Sequence, residues 1–588
     1  MSKYIKHIST PILVTLLTTT ISAQDSISNL IFRAMKDEID RSISQLEYKD
    51  YAKPFYISYT IEDTRTLYVN ASLGSIVNSN EKKYRSWGNR VLCGTYELND
   101  ENFMDATRNP APSDGRLQLP IDDDYWGIRR ALWIITNNTY KSAAENYRSK
   151  LEALKDKNLT KDTLEIPDFA KSPTVNLIIE PKNKEWNKQL LEDKVKTISS
   201  TFLKYPDIVF SDVSIYQINA NLYFYSSENS KIKQPVQFTI LTVTAVCEAG
   251  NGEKFSNQLQ YVVNLPSQLP SNDTIISHCN ALAIFLGQLQ DVPVSKENYS
   301  GPVMYTGQAT PEILTQCMFY GNDNLFAYRE PLYNNSQMSM YYGQNMNSFE
   351  TKLGKLVASK NISITEFTKK DNYHGIPLIG NYQCDAEGVI PKDTMVLIDK
   401  GILKTLYNGR TPTRNIPLSN GHRRYVLVNG GISNNLGPGV VEISSSEKKS
   451  VTELKTMLIN EAKNEGLDYA ILIKPIVETN GYTPLAAFKV DVNNGSEKPI
   501  RGLSMKPLNI NYLKKIIGFS DKNIVYNNIS EGGMSPIDGS NSGKQVIPSG
   551  NPTSIICPSA IVVKEIDFEY ISKALVNDKI IVPSPLKK

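Results

Sequence analysis

"CDAEGVIPKDTMVLIDKGILKTLYNGRTPTRNIPLSNGHRRY", residues 384–425, holds most of the candidate site residues of the chain. Asp385 and Glu387 sit at strand spacing beside Gly388; such carboxylates are either solvated and capping, or they line a cleft. Farther on stand Arg410, Asn420, Gly421, His422, Arg423 and Arg424. A glycine turn followed by two arginines can present N–H groups and guanidinium forks to a carboxylate or phosphate. Alternatively Arg423 and Arg424 alternate across a strand, one in a structural ion pair and the other wet. His422 is then a metal ligand, a general base or a bystander, and its identity decides whether the chain is an enzyme.

Upstream, Ile27, Leu30, Ile31, Met35, Ile39, Ile43 and Leu46 recur at helical steps, so a helix is expected before Pro54. "FYISYTIED" and "TLYVNASLGSIVNSNEKKYRSWGNRVLCGTYEL" read as strands broken by Gly and Asn turns. Asp122–Asp124 introduce a long helix through "IRRALWIITNNTYKSAAENYRSKLEALK". A helix near 188–204, more strands, and a helix at "NDTIISHCNALAIFLGQL" follow. The polar stretch 291–303, with two prolines, marks a domain boundary. Two units are expected, 24–295 and 300–588, the second mostly sheet. Within it Ser450 and Glu453 form a capping box before one helix, which stops at Gly466. Helices and antiparallel strands without regular β-α-β alternation give the class α+β.

The chain has 588 residues, more than one core normally holds. Its start combines Lys3 and Lys6 with an apolar run from Ile12 to Ile21 and a small residue, Ala23. Residues 1–23 therefore read as a secretory signal peptide, which places the mature chain in the periplasm or outside the cell. Its removal deletes two lysines and no acid from a formal net charge of only +3. A near-neutral surface without a basic stripe argues against nucleic acid. No segment reaches the length of a membrane-spanning helix. Six widely spaced cysteines without a C-x-x-C suit buried thiols, or one or two disulfides, better than a zinc cluster.

No familiar catalytic motif stands out. A common metallopeptidase needs two histidines and a glutamate on one helix, to hold zinc and take a proton from its water. The chain has 4 His, and none is followed by Glu. No G-x-S-x-G exists; "GSNSG" carries Asn541 where a nucleophile would stand. His278, among Ile275, Cys279 and Leu282, reads as a satisfied interior histidine. His374, in "DNYHGIP", is expected in a loop.

Several motifs nevertheless stand in a familiar order. They are "SLGSIVNSNEKKYRSWGNRVLCGTY", "YSGPVMYTGQATPEIL" (299–314), "CDAEGVIPKDTMVLIDKGILKTLYNGR", "TPTRNIPLSNGHRRY" and "ISNNLGPGVVEI" (432–443). In this order the chain resembles the TldD/PmbA family of zinc metalloproteases, also called modulators of DNA gyrase, across most of its mature length. The resemblance implies a two-domain α+β architecture. It also implies a helix after the "GPV" strand carrying H-E-x-x-x-H in catalytic members, and a later loop cysteine completing the zinc site.

Aligned on that helix, Gln316 and Cys317 stand where His and Glu would be, and Gly321 takes the second His position. The loop "EGGMSPIDGSNSGKQVIPSG" has no cysteine. No cofactor is expected here, zinc being expected only in a catalytic relative. The acidic turn and "NGHRRY" become fold signatures first. The resemblance further implies a non-catalytic subunit of the TldE type, forming a homodimer or a heterodimer with a TldD-like paralogue around unfolded peptide. An active peptidase with an unfamiliar site, and a surface protein binding peptide or glycan, are the alternatives.

Overall fold

The computed structural model describes residues 19–105, 119–159, 165–181, 187–250, 252–321, 323–333, 349–428, 431–474, 484, 487–506, 508–530, 549–570, 580, 582 and 584–586. Most of the predicted signal peptide, and the loop at 531–548 with Asn541, lie outside these residues.

The N-terminal half is built on a sheet with the strand order Ser75–Cys93, Pro54–Ser72, Ile208–Ser226, Lys231–Glu248. Lys254–Val263 extends it on the last strand. The first two strands form one long hairpin, turned by Leu73 (φ 49°) and Gly74 (φ 83°). Positive φ at both central residues matches the right-handed twist of the ribbon. Gly94 (φ 108°) ends the second strand in a turn, but the turns expected at the other Gly and Asn positions inside the ribbon do not form. Asn70 pairs with Asn78, Tyr68 with Asn80 and Thr60 with Gly88, all inside the ladder. The amides are satisfied across strands instead: Asn78 Nδ2 donates to Asn70 Oδ1 at 3.2 Å, and Asn70 Nδ2 to Asp212 at 2.6 Å. A side-chain amide bonded to a neighbouring strand has no need of a turn.

Strand alternation assigns the two faces. Ile57, Tyr59 and Ile61 meet helices α1 (Thr19–Gln45) and α2 (Tyr125–Asp156). Leu67, Val69 and Ala71 meet α3 (Lys188–Ser199) and α4 (Asn272–Gln288). Asp124 caps α2 by accepting from the Gly127 N–H. The alternate residues Tyr56, Ser58, Thr60 and Glu62 turn to the opposite face, toward the C-terminal half. His278 is not the interior histidine expected: it is exposed on α4, its ring stacked on Tyr261 and Nδ1 2.6 Å from the tyrosine hydroxyl. The apolar stripe Ile275, Cys279, Leu282, Leu286 runs beside it, leaving His278 at the margin.

The C-terminal half stacks two sheets around one large core. Tyr299–Thr306 lies between Tyr469–Ile473 and Ala560–Tyr570 in one of them. In the other, Ile362–Glu366, Val440–Ser445 and Asn551–Pro558 are successive neighbours. Helix α5 (Ala309–Phe319) buries Ile313, Leu314, Cys317 and Met318 in that core. Helix α6 (Val451–Asn464) covers the outer face with Leu454, Leu458 and Ala462, and the capping box of Ser450 and Glu453 forms as read. A separate ribbon, Arg423–Val428 paired with Gly431–Leu436, stands between the halves. All six cysteines are buried. Among the described residues no helix is long and apolar enough to cross a membrane.

Candidate functional site

The segment 384–425 folds into the seam between the halves. Asp385 is buried and caps its own turn, accepting from the N–H groups of Glu387 at 2.9 Å, Val389 at 2.8 Å and Arg423 at 3.2 Å. Burial pushes its carboxyl up from the ordinary range. Glu387 points the other way and accepts from Arg90 Nη1 at 2.6 Å and the Arg410 N–H at 2.5 Å. Burial opposes its ionisation, but Arg90 and Arg423 outweigh that and hold its carboxyl low.

Gly421 adopts φ +79°, and a Cβ there would lie 2.9 Å from Pro391 backbone, so the turn requires glycine. Asn420 fixes the approach, donating to Leu406 O at 2.7 Å and accepting from the Asn408 N–H at 2.8 Å. His422 is 1% exposed, with Nδ1 2.9 Å from the Asn420 carbonyl. Its Nε2 is buried without a partner among the described residues. Burial and nearby Arg424 pull its pKa down to about 3, so the ring is neutral at ordinary pH.

Arg423 and Arg424 leave this turn on opposite sides of their strand. Arg424 is buried: Nη1 donates to Pro438 O at 2.8 Å, and the guanidinium lies 3.9 Å from the centre of the Tyr382 ring. Near it Glu366, fully buried, accepts from the N–H groups of Gly439 at 2.9 Å and Val440 at 3.0 Å and from Tyr407 at 2.8 Å. A Cβ at Gly439 would come within 2.5 Å of Glu366 and 2.9 Å of Arg424, so the backbone must pass bare there. Arg423 faces outward into a cleft, its Nε donating to Asn434 Oδ1 at 2.8 Å.

Two cavities flank the Arg423–Leu436 ribbon. The larger, about 670 Å³, lies between the N-terminal sheet and the ribbon and is lined by Glu62, Trp87, Arg90, Glu387, Arg423 and Tyr425 among others. The smaller, about 420 Å³, lies over α5. Its walls are Thr315 and Phe319 from α5, Tyr320 and Phe326 just after it, Asn435 and Leu436 from the ribbon, and residues flanking the 531–548 segment, notably Asn528 and Asn551. None of its lining residues carries a charge. Thr315 Oγ1 and Asn551 Oδ1 are buried there without a partner among the described residues.

The positions aligned with the family's zinc motif, Gln316, Cys317 and Gly321, do not line this cavity, and their side chains do not suit zinc. Gln316 offers an amide. Burial pushes the Cys317 thiol up to about 12, the opposite of what a zinc-binding thiolate requires. Helix α5 ends at Phe319, so Gly321 lies beyond it at φ +76°, not on the helix as the alignment supposed. Among the described residues no three His, Cys, Asp or Glu side chains come together as a metal site.

Glu62, Trp87, Thr315, Asn435 and Asn551 were not singled out in the sequence. Glu62 carried a usable signal, an acid in phase with Tyr56, Ser58 and Thr60 and opposite in phase to the apolar Ile57, Tyr59 and Ile61.

Residues 334–569 match the model of the PmbA/TldA metallopeptidase C-terminal domain. Among solved structures, TldE from Thermococcus kodakarensis is 14% identical, with a TM-score of 0.55 over 91% of this chain and 99% of that one. A protein described as a modulator of DNA gyrase from Bacteroides thetaiotaomicron is 11% identical, with a TM-score of 0.53 over 92% of this chain and 98% of that one. One of the same description from Thermotoga maritima is 12% identical, with a TM-score of 0.52 over 87% and 96%. These likenesses are of fold. None of the curated proteins matches the chain in sequence.

Proposed function

The chain belongs to the TldD/PmbA family, and from that premise we propose that it serves as a non-catalytic, exported subunit of the TldE type that binds unfolded peptide. The observation that supports this reading is the α5 cavity. It adjoins the helix aligned with the family's metal-binding helix and offers amides, hydroxyls and aromatic rings without a charged group. A buried polar oxygen without a partner costs about 1–3 kcal/mol, and a ligand N–H or hydroxyl reaching it would offset that. An uncharged wall of this kind suits the neutral amide groups of a peptide backbone better than an ionised ligand. On this reading a zinc-bearing relative supplies the chemistry, and this chain shapes the chamber, as a homodimer or beside that relative.

Zinc analysis of the purified mature chain, joined to titration with a fluorescent unfolded peptide, tests the proposal. Peptide binding without stoichiometric zinc and without cleavage is the expected result. One zinc per chain with chelator-sensitive hydrolysis would overturn it. Export is tested separately by intact mass of native material, which should begin near Gln24.

A further inference from the structure

The larger cavity has a charge pattern unlike that of the α5 pocket. Six carboxyl and guanidinium side chains line it: Glu62, Arg90, Asp100, Glu101, Glu387 and Arg423. Arg90 is consumed by two of them, at 2.5 Å from Glu101 and 2.6 Å from Glu387. Asp100 accepts from the Cys93 N–H at 2.7 Å, and burial together with Glu101 raises it to about 8, so it is neutral at pH 7. Arg423 and Glu62 remain outside every ion pair among the described residues.

Arg423 lends its charge to Glu387 without an ion pair between them. Its Nε is held by Asn434, Glu387 is bonded to Arg90, and its two outer nitrogens have no partner among the described residues. Glu62 is the acid left without a cation. It is 6% exposed, accepts one hydrogen bond, from Ser86 at 2.6 Å, and has no cation within ion-pair distance among the described residues. Burial raises its carboxyl to about 7. A carboxylate kept this dry without a counter-charge is costly unless something else supplies the charge. The two groups stand on different walls, Glu62 on the strand Pro54–Ser72 and Arg423 on the ribbon, and they form no ion pair with each other.

Between them the cavity presents Trp87 and Tyr425 as apolar surface and Ser58, Thr60 and Asn89 as neutral hydrogen-bonding groups. Arg423 and Tyr425 share one face of their strand, so both point at whatever lies in the cleft. The strand supporting Arg423 is in turn fixed by Asp385, which accepts the Arg423 backbone N–H.

We propose that this cleft binds a zwitterion, an α-amino acid or short peptide, with the ligand carboxylate on the outer nitrogens of Arg423 and its ammonium on Glu62. A planar guanidinium matches a carboxylate with two parallel hydrogen bonds, and an ammonium supplies Glu62 with the missing cation. The volume, about 670 Å³, is ample for several residues. The α5 pocket shares no residue with this site, so the inference stands whether or not that pocket takes peptide.

Calorimetric titration of the full mature chain with alanine, dialanine, trialanine and tetra-alanine tests it. Each is used free, C-terminally amidated and N-acetylated. At least one length should bind, and either cap should weaken it tenfold or more. Binding by alanine alone assigns a free amino acid; binding that begins at a longer member assigns a peptide and gives the span between the two charges. Arg423→Gln should erase the penalty for amidation while keeping that for acetylation, and Glu62→Gln should do the reverse, with thermal melts as the folding control. Absence of binding throughout the series, or binding indifferent to both caps, overturns the proposal.

Discussion

Arg410 grips Glu228 through two hydrogen bonds of 2.7 Å, joining residues 182 positions apart. Its Nε donates to Ala170 O at 2.8 Å, and its guanidinium lies 4.0 Å from the centre of the Phe169 ring. One side chain thus clamps the segment after the acidic turn onto the edge of the N-terminal sheet.

Loss of that clamp should be expensive. Arg410→Ala leaves Glu228 without its partner, and removing one member of a buried pair costs about 3–5 kcal/mol. Arg410→Lys should recover little, because an ammonium cannot reproduce two parallel bonds and a stacked plane. Urea denaturation of both variants checks this; a lysine variant as stable as the parent would refute the bidentate argument.

The neighbouring arginines should behave oppositely. Arg424→Ala strips a buried cation from two carbonyls and the Tyr382 ring, and should destabilise by about 3 kcal/mol or more. Arg423→Ala, in the cleft, should stay within about 0.5 kcal/mol of the parent. Thermal melts decide between them.

Acid–base behaviour should follow from the buried groups. Burial raises Glu366 from 4.5 to about 7, so the folded chain holds a proton there that the unfolded chain releases. The corresponding stability is fully present below about pH 4.5 and is lost as pH rises through 7, an effect of about 3 kcal/mol at most. His422 acts in the other direction: its share is present above 6.5 and is lost as pH falls toward 3. Comparing urea midpoints at pH 5 and pH 8, Glu366→Gln should shrink the loss toward pH 8. An unchanged difference would mean that Glu366 is ionised in the folded state.

Rebuilding the catalytic motif should fail. In the triple variant Gln316→His, Cys317→Glu, Gly321→His, the last histidine would sit past the end of α5 in a left-handed conformation that favours glycine. Zinc titration of the variant should show no stoichiometric site; tight one-to-one binding would show that the helix can extend.

How legible was this molecule in its sequence? The helices declared themselves by period and cap, as with Ser450 and Glu453, because a cap is a local interaction. The long hairpin was harder to read, since Asn70 and Asn78 look like turn residues until the partner strands that take up their amides are known. Segment 384–425 was visibly dense in chemistry, but the separation of Asp385 from Glu387 was not readable. Adjacent acids diverge there because one meets its own backbone and the other meets Arg90, a residue 297 positions away. Glu62 stayed hidden for the same reason: its isolation is a property of what faces it.

The ribbon of Arg423–Val428 and Gly431–Leu436 is a party wall. Ile432, Ser433 and Asn434 face the charged cleft, while Asn435 and Leu436 line the neutral pocket over α5. Beyond its own pairing, the ribbon is tied to the neighbouring segment by the bridge of Leu427 to Gly550 and by the bonds of Arg424 Nη2 to Pro552 O and of Asn551 Nδ2 to Leu436 O, both 3.4 Å. A two-stranded ribbon has little rigidity of its own, so its position is set by what presses on each side. A guest in one chamber therefore shifts the partition of the other, and thermodynamics requires that shift to be felt equally in return. Two cavities with no shared residue can in this way answer to each other through the thickness of a single hairpin.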